Sequence, residues 1–184
     1  MVKFSDRITR LQAAATRVVS ERAADMRRQG RDVLSLSTGE PDFVSPPSVM
    51  RAAQDALDAG KTFYTPAAGV VELRAAIAAY YKSRFDLDYT PSEVMVGAGG
   101  KPLLYEACLA LLNPGDEAIL IAPAFVSYYE QVRLCDATPV VIQTDPATLD
   151  FSLDDIRAAI TPRSRLIMPN APNNPSGRIY SDDL

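Results

Sequence analysis

Residues 94–142 read VMVGAGGKPLLYEACLALLNPGDEAILIAPAFVSYYEQVRLCDATPVVI. Short apolar runs at Val94–Val96, Ile119–Ile121 and Val140–Ile142 alternate with stretches of helical spacing, Leu103–Leu112 and Tyr128–Leu134. That alternation predicts a βαβαβ unit, in which parallel strands are joined by covering helices. Downstream, Ser152 with Asp155 three residues on approximates a capping box for a helix over Leu153–Ile160. Leu166–Met168 follows as another strand. The expected fold is therefore α/β.

Upstream, Leu11, Ala15, Val18, Val19 and Met26 recur at helical spacing from Ile8 to Arg28, and Gly30 supplies a stop. Arg27, Arg28 and Arg31 then suit the carbonyl end of that helix dipole. Val33–Leu36 is a short strand candidate before the turn at Thr38–Asp42. Ser45 reads as an N-cap with Pro46 in the first turn, and Val49, Met50, Ala53 and Leu57 form a buried face ending at Gly60. After the loop Lys61–Gly69, a third helix carries Leu73, Ile77, Tyr80 and Tyr81 to about Phe85. There is no internal repeat. Ser181-Asp182-Asp183-Leu184 reads as the start of a helix, with an N-cap and two first-turn acids.

Composition narrows the chemistry. The 184 residues are 47% hydrophobic and 23% charged, a balance that excludes disorder and low complexity. A net charge of −4 without a basic run argues against nucleic acid, and no stretch reaches the roughly 18 apolar residues of a membrane span. Histidine is absent, and Cys108 and Cys135 lack ligand spacing. Zinc, haem and Cys/His-nucleophile chemistries are thereby excluded, and both thiols are expected to pack as small hydrophobes in a reduced, cytoplasmic protein.

Three loops could do chemistry. Gly97-Ala98-Gly99-Gly100-Lys101-Pro102 lies between a strand and a helix, where glycines let an anion approach the backbone amides of a helix start. Its spacing matches neither the Rossmann fingerprint nor the P-loop, so a tight turn and a phosphate cradle stand as equal readings. Asn170–Gly177 follows the last expected strand, the carboxyl end at which α/β sheets bind ligands, although asparagine-rich turns also bond their own backbone. Pro123–Tyr129 holds Phe125 at another strand end, as a stacking platform or as core.

In order and spacing these pieces resemble the class I and II aminotransferases, the aspartate-aminotransferase-like enzymes of pyridoxal-phosphate fold type I. The resemblance rests on Ser37–Phe43, on Tyr64–Gly69 with Glu72-Leu73-Arg74, on Gly99-Gly100-Lys101, on Asn113–Glu117 and on Pro172–Gly177. It implies a three-layer α/β/α large domain with a mixed, mostly parallel sheet, here incomplete. Residues 1–45 would be the N-terminal arm and a small-domain segment, and residues 46–184 the first part of the cofactor-binding domain.

The implied cofactor is pyridoxal 5'-phosphate and the implied reaction is amino-group transfer from an L-amino acid to a 2-oxo acid, with an aspartate-type substrate favoured. By the same resemblance Gly99, Gly100 and Lys101 hold the phosphate, and Phe125 stacks on the pyridine ring. Asn174 bonds its phenolic oxygen, Gly39 and Asn174 lie against the substrate, and Tyr64 crosses a homodimer interface to the neighbour's phosphate. Phe125 stands where many relatives carry tryptophan or tyrosine, Pro102 removes one N–H donor, and Ala124 replaces a common tyrosine. The Schiff-base lysine, its acidic partner and the carboxylate-binding arginine are expected beyond Leu184, so no catalytic residue is assigned in this chain and turnover by it alone is not expected. Another fold type I enzyme, a lyase or decarboxylase, and a non-catalytic domain of the same fold are the alternatives.

Overall fold

The computed structural model describes residues 3–11, 15–37 and 39–181. The chain forms two compact units, Met1–Ala14 with Gly100–Leu184, and Ala15–Gly99.

The first unit is built on a three-stranded, all-parallel sheet. Its helices are α1 (Asp6–Thr9), α5 (Gly100–Leu111), α6 (Ser127–Leu134) and α7 (Leu153–Ala159); its strands are β1 (Glu117–Ala122), β2 (Thr138–Gln143) and β3 (Ser164–Met168), ordered β2-β1-β3. The central strand, EAILIA, is buried at all six positions, which fits a parallel strand covered on both faces. In register, Ile119 faces Val140 on one side and Ile167 on the other, with an irregularity at Glu117/Ala118 against β3. Ala118 packs with Cys108 and Leu112 from the α5 side and Val132 and Cys135 from the α6 side. Leu120, Val132 and Cys108 have no exposed surface at all. Both cysteines are free and buried, and burial pushes both thiols up, which keeps them protonated packing groups.

Because the strands are parallel, their carboxyl ends share one edge, and the segments after Ala122, Gln143 and Met168 all leave from it. At the opposite edge Glu117, 4% exposed, accepts from Arg163 Nε (2.9 Å) and Nη2 (2.5 Å) and from Thr161 Oγ1 (2.6 Å). The Thr161 hydroxyl, then the Arg163 guanidinium, holds its carboxyl below the usual range. The Asn113–Glu117 motif makes the turn into β1: Asn113 N–H donates to Asp116 Oδ2 (2.8 Å) and Gly115 N–H to the Asp136 carbonyl (3.0 Å).

The second unit contains α2 (Ala15–Arg28), α3 (Pro47–Asp58), α4 (Val71–Phe85) and a 3₁₀ turn at Pro91–Glu93. Gly69 sits at φ +93, and a Cβ there would lie 2.7 Å from Val96 Cβ. Val96 N–H bonds the Ala68 carbonyl (3.0 Å), and Arg74 Nη1 bonds the Pro91 carbonyl (2.9 Å). The Tyr64–Gly69 and Glu72–Arg74 motifs thus hold the 91–96 segment to the start of α4.

Several elements differ from the sequence reading. Val33–Leu36 and Val94–Val96 form no strand among the described residues; an apolar run becomes a strand only when a ladder partner lies beside it. The helix expected from Ile8 to Arg28 is two helices, Asp6–Thr9 and Ala15–Arg28. Ser45 is not an N-cap: Pro46 occupies that position and Pro47 begins the helix, because a residue before proline is pushed to extended backbone. Val49, Met50 and Leu57 of α3 are exposed, so its apolar stripe has no cover among the described residues. The helix expected from Asp182 onward lies outside the described residues. The capping box at Ser152 forms, with Ser152 Oγ accepting from Asp155 N–H (3.0 Å).

Candidate functional site

The glycine loop ends in the first turn of α5. Gly99 holds φ +96, a backbone that L side chains rarely adopt, and its N–H is turned back onto the Gly97 carbonyl (2.8 Å). The turn delivers Gly100 and Lys101 as the first two helical residues, whose amides have no partner within the helix. A Cβ added to Gly99 or Gly100 would meet nothing within 4 Å, so the space beside both is open. Pro102 contributes no N–H.

Lys101 and Phe125 are brought together. The ammonium lies 5.2 Å from the centre of the Phe125 ring, whose other neighbour is Tyr128, packed edge-on at 5.6 Å and 82°. From α6, Gln131 Nε2 reaches back to the Lys101 carbonyl (2.9 Å), fixing the first turn of α5. Lys101 also differs in charge from its surroundings. Among the described residues after position 100, every arginine is within 4.0 Å of a carboxylate: Arg133 with Glu130, Arg157 with Asp154, Arg163 with Glu117, Arg165 with Asp116 and Arg178 with Asp150. Lys101 alone among these cations has no carboxylate within 4.0 Å among the described residues.

The Asn170–Gly177 loop leaves the end of β3 and is braced throughout. Asn174 N–H donates to Asn170 Oδ1 (2.8 Å), Asn173 N–H to the Arg178 carbonyl (2.8 Å), and Gly177 N–H to the Asn173 carbonyl (2.7 Å). Arg178 forks onto Asp150, and that guanidinium holds the Asp150 carboxyl below its usual range. Asn174 itself is exposed, and its side-chain amide has no hydrogen bond among the described residues. The residue that ties this loop to the end of β1 is its neighbour Asn173, which bonds the Pro123 carbonyl. Sequence reasoning placed Asn173 in the candidate loop without a role of its own and missed Asp150 and Gln131, because each acts through a bond spanning 28 to 50 residues that no local pattern announces.

Tyr64 and Gly39 belong to the second unit. Both are exposed, Tyr64 completely at 106%, and Tyr64 lines a shallow cavity of about 250 Å³ with Thr62 and Phe63. Among the described residues no group of acids and cysteines could hold a metal ion, and no helix is long and apolar enough to cross a membrane.

The parallel sheet with its covering helices, and the glycine-led helix start, lysine and aromatic gathered near one set of strand ends, define a protein of the α/β class. The chain belongs to the aminotransferase class I and II family, whose model matches residues 31–183. It is 42% identical to the aspartate/prephenate aminotransferase of Cereibacter sphaeroides over 182 residues, covering 98% of this chain and 46% of that protein. It is also 42% identical to the aspartate/prephenate aminotransferase of Thermus thermophilus over 183 residues, or 98% of this chain and 47% of the relative. Among solved structures, the Thermus thermophilus aspartate aminotransferase with maleate is similar at a TM-score of 0.95 and 41% identity, over 100% of this chain and 48% of that one. The Rhizobium meliloti aspartate aminotransferase is similar at 0.93 and 38%, over 98% and 46%. The chain thus spans about half the length of the curated relatives it matches.

Proposed function

We propose that the intact protein is a pyridoxal-phosphate-dependent aminotransferase that moves an amino group from an L-amino acid to a 2-oxo acid, with aspartate-type substrates. The observation that carries this reading is the pairing of an unneutralised Lys101 with the Phe125 ring at the start of α5. A flat, anionic ligand needs both: a ring face to stack on, and a cation with free helix amides for its charge. The residues present fit that ligand, since open space adjoins Gly99 and Gly100 and the Asn174 side-chain amide has no partner among the described residues.

In this reading the Gly100 and Lys101 amides and the Lys101 ammonium bind the phosphate, and Phe125 orients the ring. Asn174 donates to the ring's phenolic oxygen and holds it in its charged form. Pyridoxal phosphate, when bound, supplies the electron sink that loosens bonds at the α-carbon of an amino acid. Gly39 presents its backbone to the substrate carboxylate, and exposed Tyr64 is poised to reach the phosphate of a second subunit in a homodimer. Residues 46–184 make up the first part of the cofactor domain, and 1–45 the arm and small-domain segment. Reduced, buried Cys108 and Cys135 suit a cytoplasmic enzyme. None of Lys3, Lys61, Lys82 and Lys101 matches the Schiff-base context of the family.

The test is spectroscopic. The intact gene product, mixed with pyridoxal phosphate, should develop an absorption band near the visible edge that changes on adding an amino donor and returns with a 2-oxo acid. No band, or a band indifferent to every amino donor, refutes the proposal.

A further inference from the structure

The strongest unassigned polar side chain near this edge is Asn173. It is 6% exposed, and its amide donates twice, to the Pro123 carbonyl (2.8 Å) and to Ser176 Oγ (2.7 Å). Its backbone closes the loop from both sides, donating to the Arg178 carbonyl and accepting from Gly177 N–H. Pro123 lies two residues before Phe125, and Asn173 lies one before Asn174. One side chain therefore bridges the segment that carries the ring-stacking aromatic and the loop that carries the free amide. Asn174 has no such anchor of its own beyond its backbone bond to Asn170.

We propose that Asn173 is a positioning residue: through Pro123 it fixes how far the Asn174 amide stands from the Phe125 ring, and so how strongly Asn174 bonds the cofactor's phenolic oxygen. This rests on the functional reading above. It goes further in assigning the control of that bond to a buried residue whose own amide is taken up by the Pro123 carbonyl and Ser176 Oγ. A loop pinned only at its two ends would let Asn174 swing, whereas a mid-loop bond to the strand end removes that freedom before the ligand arrives.

The experiment is an absorbance-monitored pH titration of pyridoxal phosphate bound to the intact protein, for wild type, Asn173→Ala, Asn174→Ala and the double variant, with melting temperatures alongside. A hydrogen bond to a charged oxygen favours the unprotonated form, so losing it raises the midpoint of the colour change. Asn174→Ala should raise it by about one pH unit, the scale of one hydrogen bond to a charged group. Asn173→Ala should raise it by about a third of that or more. The double variant should rise no further than Asn174→Ala alone, because Asn173 acts only through Asn174. A lowered melting temperature with an unmoved midpoint, or shifts that add in full, overturns the proposal. Asn173→Leu, which keeps the volume and loses both donors, is read in the same way if Asn173→Ala does not fold. Failure of both to fold assigns Asn173 to the fold and overturns the proposal. A wild-type protein with no cofactor band instead overturns the functional reading, an outcome distinct from an unmoved midpoint.

Discussion

Gly99 and Gly100 are adjacent and equally uncrowded, yet their replacement by alanine should have opposite consequences for stability. A Cβ at either meets no atom within 4 Å, so sterics do not separate them. Backbone conformation does, because Gly99 sits at φ +96 while Gly100 opens α5 with no positive φ. Alanine in a left-handed conformation costs about 1–2 kcal/mol. At Gly100, where alanine fits without strain, the smaller conformational freedom of the unfolded chain is worth about 0.4–1 kcal/mol in the stabilising direction. The two variants should therefore differ by roughly 2 kcal/mol, with Gly99→Ala melting below Gly100→Ala. The assay is thermal unfolding of the cofactor-free intact protein, followed by titration with pyridoxal phosphate. Gly100→Ala should melt at or above wild type, yet bind the cofactor at least about tenfold more weakly, because its methyl fills the open space before the amides. Equal melting of the two variants would refute the backbone argument. Wild-type affinity in Gly100→Ala would refute the phosphate cradle.

Gly69→Ala should cost about 2–3 kcal/mol, combining the positive-φ penalty with overlap against the Val96 Cβ, an atom held close to the main chain; a urea-unfolding loss below about 1 kcal/mol counts against it. Lys101→Met should weaken pyridoxal phosphate binding about tenfold at low salt, and by a smaller factor as salt rises and screens the lost charge; a salt-independent loss would show that packing, not charge, was removed. Glu117→Gln should flatten the acid side of the stability profile. The folded Glu117 carboxyl is held below its ordinary 4.5, so its contribution is present above that value and is lost as pH falls through the folded value. The urea midpoint should fall less between neutral and acid pH in the variant than in wild type, and parallel profiles would contradict the assignment.

The sheet was legible because its signal is local. β1, β2 and β3 each announce themselves as a short apolar run between helical stretches, and the Ser152–Asp155 cap is written three residues apart. Val94–Val96 carries a similar run and forms no strand, because pairing is a property of the neighbour rather than of the run. The apolar stripe of α3 likewise predicted burial that no described residue provides. Among the motifs, Gly69 and Arg74 proved to have packing duties, against Val96 and Pro91, that spacing alone does not separate from ligand binding. Lys101, Phe125 and Asn174 were visible as residue types at strand ends. The individual roles of Asn173, seen only as a member of its loop, and of Gln131 were not, since a buried amide reveals its role only through the distant carbonyl it bonds.

If the proposed site binds as inferred, charge placement would give it a selectivity that net charge does not suggest. The chain carries −4 overall, so an approaching phosphate is repelled at long range. Each arginine described after position 100 faces a carboxylate, which cancels its field beyond a few ångströms. At the start of α5 the cancellation is missing. The helix end contributes about half a positive charge and Lys101 a whole one, and at 4 Å a unit charge is worth from about 1 kcal/mol in water to about 4 kcal/mol near a protein surface. Attraction of that range acts only on an anion already at the edge. The Phe125 ring beneath the ammonium adds a second requirement, a flat face to stack. A simple phosphate satisfies only the first condition, and an uncharged aromatic only the second. In the proposed reading a phosphorylated aromatic meets both, and Lys101 would leave the ring face to take the phosphate as the aromatic covers it.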